Sequence, residues 1–238
     1  MSRVDAETEI LWREAEQSVA RRSRGTVESR RVLLERLSVK APDASPAANW
    51  ARVQLALEVV DEDPWQAALL ARKALHFTQE DDAAWGVLGL ACSYLGHFRA
   101  AIRAYEKAVS RAPFHPRYAH NLGHLYDVIN DDPARAVPLL RRATAGFERP
   151  RDDDVLRPER RAWAEATASL AHAEWRSGRW DEALATLRPV MRTSLATRGH
   201  HQLHRAILDE REACLGQQTH AKPASPRRVR RRRRIEFP

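Results

Sequence analysis

The sequence predicts an all-α fold in which antiparallel helix hairpins stack side by side. Apolar residues between positions 83 and 96 recur at i, i+3, i+4 and i+7, which places them on one face of a helix. Alanines recur at a fixed interval along the chain, which is the pattern of stacked structural repeats. Successive members of each series are 34 and then 35 residues apart: Ala67, Ala101 and Ala136, and Ala74, Ala108 and Ala143. Each hairpin has an apolar face that it cannot bury alone, so the hairpins are expected to stack.

Residues 1–46 predict a helical N-terminal cap and a linker. Ile10, Leu11 and Val19 are spaced along one helix, Gly25 interrupts the pattern, and a second apolar set follows. This pattern predicts either one broken helix or two helices that cover the first hairpin. The linker is indicated by proline, alanine and serine in the last residues of the region.

The first two hairpins are predicted at residues 47–80 and 82–115. In the second hairpin, Gly96 separates two apolar stripes and suits a turn with a backbone angle that other residues avoid. Pro113 ends the second stripe, as expected for a residue that cannot continue a helix. The first hairpin keeps the alanines of its second helix but lacks the Leu-Gly pair of its neighbour.

Two more hairpins are predicted at residues 116–149 and 164–192, with an insertion at 150–160 between them. The insertion contains prolines and the acidic run Asp152–Asp154, which indicates a hydrated loop or a helix start. A cation site is the less favoured alternative, because a hard cation needs more oxygen ligands than one short run supplies.

The second hairpin also carries the pattern W-x2-L-G … A-x3-aromatic … P. Its residues are Trp85, Leu88, Gly89, Gly96, Phe98, Ala101, Tyr105, Ala108 and Pro113. In this pattern the chain resembles the tetratricopeptide repeat (TPR) family. The resemblance covers about residues 48–192. It implies a right-handed superhelical solenoid with helical caps, and a non-enzymatic scaffold or adaptor for protein–protein interactions.

The resemblance also indicates which side of the repeats binds a partner. Polar residues recur on residues 116–129 opposite the apolar stripe, and in TPR proteins this side of the first helix lines a concave groove that holds peptides. The predicted groove residues, from this helix and its neighbours, are Tyr94, Arg117, His120, His124, Asp127, His172, Trp175 and Arg176. Their basic and aromatic character suits a peptide with acidic groups and an apolar anchor. Ordinary exposed polar residues are the alternative.

A capping helix is predicted at residues 193–216, followed by a disordered arginine-rich tail at 217–238. Residues 220–238 hold eight basic residues and one glutamate, so they carry +7 of the net +8. A block of like charge cannot bury itself. The predicted anion-binding residues are Arg227, Arg228, Arg230, Arg231, Arg232, Arg233 and Arg234. Their partner would be RNA, DNA, an acidic protein or an anionic membrane, and a purely solubilising tail is the alternative.

The sequence contains no motif that indicates catalysis. It has neither a glycine-rich phosphate loop nor a GxSxG elbow. His120 and His124 have the i, i+4 spacing that can share a metal ion, but Asn121 stands where the HExxH motif has glutamate. We therefore expect no catalytic residue, no metal and no cofactor. A scaffold is favoured over a nucleic-acid-associated protein, and an enzyme or metal site on the histidines is least favoured.

Hydropathy and cysteine usage predict a cytoplasmic protein. No segment approaches the roughly 18 apolar residues that indicate a membrane span, and the first residues lack the apolar stretch of a secretory signal. Cys92 and Cys214 lie on apolar helix faces, which favours reduced thiols over a disulfide.

Overall fold

The computed structural model describes residues 3–20, 27–147 and 158–220, which form eleven α-helices and no β-strand. The helices are α1 Arg3–Ala20, α2 Val27–Lys40, α3 Pro46–Val59, α4 Pro64–Phe77, α5 Asp82–Tyr94, α6 Phe98–Arg111, α7 Pro116–Val128, α8 Pro133–Gly146, α9 Pro158–Arg176, α10 Trp180–Met191 and α11 Arg198–His220. None of these helices is long and apolar enough to cross a membrane. The predicted all-α repeat fold is confirmed.

Local sequence signals define the ends of the hairpin helices. Gly96 and Gly178 have φ values of 72° and 73° in the turns before α6 and α10, a conformation that glycine adopts without steric cost. Asp63, Asp81 and Asp132 cap α4, α5 and α8, because each carboxylate accepts a hydrogen bond from a backbone N–H in the first turn. The caps and turns give each hairpin a defined start and a tight reversal.

The helices pack as a one-dimensional stack. Each helix contacts the next from α1 to α11, and α3 also contacts α5 while α7 contacts α9. Contacts between successive repeats are those of a solenoid. Helix α2 packs on the first hairpin, and α11 packs on α10 and α9. We call the side formed by α3, α5, α7 and α9 the inner face.

Two glycines let paired helices approach closely in the core. A Cβ atom on Gly89 would lie 2.9 Å from the Tyr105 ring, and one on Gly123 would lie 2.7 Å from Cγ of Leu140. Tyr105 and Leu140 are both buried. The Leu-Gly pairs of the sequence therefore mark the positions at which α5 packs against α6 and α7 against α8.

Three helix boundaries differ from the prediction. Helix α9 begins at Pro158 rather than near residue 164, because proline suits the first turn of a helix and the added turns bury Trp163. Helix α11 begins at Arg198 rather than at residue 193, and it continues to His220, so the first four residues of the predicted tail are helical.

Parts of four predictions lie outside the described residues. These parts are residues 1–2 and 21–26 of the N-terminal cap, with Gly25, residues 148–149 of the third hairpin, residues 150–157 of the insertion, with Asp152–Asp154, and residues 221–238 of the tail, with all its predicted anion-binding arginines.

Candidate peptide-binding groove

Two adjoining cavities open on the inner face. The larger has a volume of about 800 Å³ and extends from Leu57 on α3 to Ala162 and Glu165 on α9. The smaller has a volume of about 410 Å³ and lies where α5 and α7 end. Four residues line both cavities, namely Leu90, Tyr94, Tyr105 and Asn121. The two cavities therefore lie side by side along the array, and we call them together the groove.

The large cavity has aromatic and polar walls. The Tyr118 ring fills the space left by Gly86, where an added Cβ would clash with it, and its hydroxyl donates to Asp82 at 3.1 Å. The His115 ring stacks on Tyr118 with a centroid separation of 3.7 Å, and burial lowers the pKa of His115. Arg117 is exposed on the α7 wall of this cavity. Arg117 has no ion-pair partner among the residues that the structure describes, so its guanidinium can contact a ligand in this cavity.

The smaller cavity, which we call the apolar cavity, has no charged residue among the described residues that line it. Its apolar and aromatic lining consists of Leu90, Tyr94, Phe98, Tyr105, Leu125 and Ile129. Tyr94 is 57% exposed and Ile129 is 41% exposed, so this surface is open to solvent. The nearby Asp61 carboxylate, with a smaller contribution from burial, raises the pKa of Tyr94. Asn121 donates to the Tyr105 hydroxyl at 2.8 Å and holds the wall between the two cavities.

The two predicted histidines of α7 are held in their neutral form. Nε2 of His120 lies 3.1 Å from Oγ of Ser169 on α9, so the ring is enclosed between two helices. Burial, with smaller contributions from His124 and Arg117, lowers the pKa of His120 to about 4. Partial burial also lowers the pKa of His124. At neutral pH these imidazoles offer hydrogen bonds rather than positive charge.

Three other predicted groove residues bond to one another between α7 and α9. Asp127 is 1% exposed, and its Oδ2 lies 2.5 Å from Nδ1 of His172. Arg176 donates to the backbone oxygen of Asp127 at 2.5 Å and to its Oδ1 at 3.2 Å, and it also pairs with Asp131. These side chains join α7 to α9. Their charges are compensated within the fold.

The last predicted residue, Trp175, contacts the C-terminal helix. Its Nε1 donates to Oε2 of Glu210 on α11 at 2.7 Å, and its ring meets the edge of His172 at 5.7 Å. Trp175 thus helps to attach α11 to α9. The sequence pattern places this residue on the inner face but does not indicate that α11 covers it.

The eight predicted residues therefore separate into two groups. Tyr94, Arg117, His120 and His124 line the cavities, and the other four bond within the fold. The sequence-based set omitted Leu57, Phe98, Tyr118, Asn121 and Ile129, which also line the cavities. Phe98 and Ile129 could have been identified as apolar residues that lie at the end of a helix, beside a turn.

One histidine of α11, His200, has a structural role at the start of that helix. His200 is buried, and its Nδ1 accepts a hydrogen bond from the backbone N–H of Thr197 at 3.0 Å, which caps the helix. Within residues 3–20, 27–147 and 158–220, no group of three His, Cys, Asp or Glu side chains converges in a way that could hold a metal ion.

Comparisons with known proteins identify the repeat and the fold. The family described as tetratricopeptide repeat matches residues 82–115. A comparison with curated proteins gave no match. PilF of Pseudomonas aeruginosa has a similar structure, with a TM-score of 0.65 at 16% identity over 91% of this chain and 92% of that chain.

Two further solved structures are described as TPR proteins. YrrB, reported to have an unusual peptide-binding site, matches with a TM-score of 0.56 at 19% identity over 68% of this chain and 77% of that one. TTC0263 of Thermus thermophilus matches with a TM-score of 0.55 at 18% identity over 84% of this chain and 98% of that one. The chain therefore contains a tetratricopeptide repeat at residues 82–115, and its fold is that of tetratricopeptide repeat proteins.

Proposed function

We propose that the chain is a non-enzymatic scaffold whose inner face binds a peptide or helical segment of a partner protein. The observation that carries the proposal is the pair of adjoining cavities on that face. Their volumes fall in the range of about 300–1,000 Å³ that is usual for ligand pockets. The peptide-binding site of YrrB supports this proposal, because that protein has the same fold.

The two parts of the groove would recognise different parts of the peptide. The apolar cavity would take a bulky apolar anchor, because desolvated aromatic and aliphatic contacts supply most of the energy at such interfaces. In the large cavity, Arg117 and Glu165 are exposed and have no ion-pair partner among the described residues. They would set the direction of the peptide through its charges.

The apolar part can be tested with a peptide selected from a displayed random library against the full chain. Tyr94→Ala is expected to weaken binding about 30-fold, since an anchor aromatic contributes about 2 kcal/mol. Trp65→Ala is the matched control, because Trp65 is 56% exposed against 57% for Tyr94 and lies on the outer helix α4. It is expected to leave the dissociation constant unchanged.

The charged part is tested by reversing one arginine on each side of the array. Arg117→Glu is expected to change the affinity for a selected peptide that carries charge, and Arg103→Glu, on the outer helix α6, is expected not to. Circular dichroism of both variants should match the parent. Loss of binding in the Arg103 and Trp65 variants, with the inner-face variants unaffected, would refute the proposed groove.

A further inference from the structure

The apolar cavity opens beside a row of carboxylates. The turns at residues 60–63, 95–97 and 129–132, which we call the turn edge, contain five carboxylates and no lysine or arginine. These residues are Asp61, Glu62, Asp63, Asp131 and Asp132. Glu62 pairs with Arg31, and Asp131 pairs with Arg176. The other three have no basic partner among the described residues, so the turn edge favours a basic ligand beside an apolar one.

The C-terminal helix directs the chain toward this edge. Arg211 of α11 pairs at 2.8 Å with Asp181 in the first turn of α10, and Glu210 meets Trp175 near the end of α9. Both contacts lie beside the α9–α10 turn, on the same side of the array as the turn edge. Helix α11 then continues for nine residues to His220. The following residues therefore begin on the side where the apolar cavity opens.

The residues after His220 have the composition that this surface favours. Seven arginines lie between positions 227 and 234, and Ile235, Glu236 and Phe237 follow them. The seventeen residues from 221 to 237 can span up to about 55 Å when extended. Helix α9 lies between α11 and α7, and packed helices are about 8–10 Å apart, so the apolar cavity is within reach.

We propose that residues 227–237 dock onto the inner face of the same chain. Ile235 and Phe237 enter the apolar cavity, and the arginines lie along the carboxylates of the turn edge. This inference rests on the proposed function, because it uses the same groove. The segment is then a built-in competitor that a partner peptide must displace. A tether of this length gives an effective concentration of about millimolar, so even a weak contact keeps the groove occupied.

The test uses full-length proteins and a labelled synthetic peptide with the sequence of residues 221–238. The double variant Ile235→Ser/Phe237→Ser loses the anchors and so exposes its groove. It is expected to bind the labelled peptide at least 10-fold more tightly than the parent, as measured by fluorescence anisotropy. Equal binding to the two proteins, or no binding to the double variant, would overturn the inference.

The docking site is tested in the double-variant background. Ile129→Lys is expected to abolish peptide binding, because it places a charge in the apolar cavity. Leu69→Lys is the matched control on the outer helix α4, with 51% exposure against 41% for Ile129. An equal effect of the two substitutions would refute docking at the inner face. A parent that sediments as a dimer, while the double variant is monomeric, would instead assign the segment to the groove of a second copy and overturn same-chain docking.

Failure of this inference can be separated from failure of the proposed function. If library-selected peptides bind in a manner that depends on Tyr94 while the 221–238 peptide does not bind, only the inference is wrong. If neither peptide binds, the groove itself is not a peptide site.

Discussion

The substitution Gly123→Leu tests whether α7 and α8 depend on a close approach at a glycine. The first added carbon would lie 2.7 Å from Cγ of Leu140, 3.0 Å from its Cδ2 and 3.3 Å from the backbone oxygen of Ala136. Leu140 is fully buried and cannot move into solvent. Overpacking a core costs about 1–3 kcal/mol of stability. Because leucine adds three more carbons beyond Cβ, we expect a cost near the upper end of this range. Leucine has a higher helix propensity than glycine, and this difference stabilises the variant by somewhat under 1 kcal/mol. The net loss is therefore about 2 kcal/mol.

Gly199→Leu is the matched control. Gly199 is also helical, but the nearest atom to its added Cβ is Oγ1 of Thr197 at 3.6 Å, an ordinary contact. Thermal unfolding followed by circular dichroism is expected to show a midpoint about 4–8 °C below the parent for Gly123→Leu. The Gly199 variant should match the parent or exceed it. A Gly123 variant that unfolds at the parental midpoint, or equal shifts in both variants, would refute the close-packing argument.

Two further predictions concern contacts that hold α9 in place. Burial lowers the pKa of His120 in the folded protein to about 4, whereas in the unfolded chain it is about 6.5. Between these two values only the unfolded chain binds the proton, so the free energy of unfolding falls as the pH drops from about 6.5 toward 4. Urea unfolding at pH 7 and pH 4.5 should show a larger loss for the parent than for His120→Gln, and equal losses would contradict the enclosed site. Trp175→Phe removes the hydrogen bond to Glu210, worth about 1 kcal/mol, and limited proteolysis should cut within α11 faster while unfolding of residues 47–147 is unchanged.

The hairpins were predictable because their signals are local. Gly96 and Pro113 mark the turn and the end of one hairpin, and the stripe through Leu88 and Gly89 marks its buried face. A repeat interval of 34 residues places each unit against the next, so no long-range information was needed. The start of α9 was less visible, because the stretch before it has charge and proline but no apolar stripe.

The groove was only half predictable, since helical periodicity gives the direction of a side chain but not what covers it. Asp127 and His124 follow each other on one polar stripe, yet Asp127 is buried against α9 while His124 lines the apolar cavity. The difference arises from Arg176 and His172, which lie 45 or more residues away in the sequence. The turn edge was not predicted for a similar reason. Its carboxylates belong to turns that are far apart in the sequence, and only the fold brings them together.

The arginine-rich segment connects the groove to the predicted binding of nucleic acid, and this connection gives the last prediction. If Arg227–Arg234 contact about five phosphates of single-stranded RNA, log affinity should fall with log salt at a slope of about −0.7 per phosphate, or roughly a hundredfold between 50 and 200 mM salt. Carboxylates of the turn edge and RNA phosphates would compete for the same arginines.

Poly-uridine RNA at 50 mM salt is therefore expected to strengthen binding of a library-selected peptide to the full-length parent. The Ile235→Ser/Phe237→Ser variant should show no such gain, because its groove is already open, although it keeps all seven arginines. RNA that binds both proteins with the expected salt dependence but leaves peptide binding to the parent unchanged would show that the segment and the groove act independently. If anionic vesicles, and not RNA, strengthen peptide binding to the parent, the arginines bind a membrane surface. Each basic residue gains about 1 kcal/mol of binding energy at such a surface.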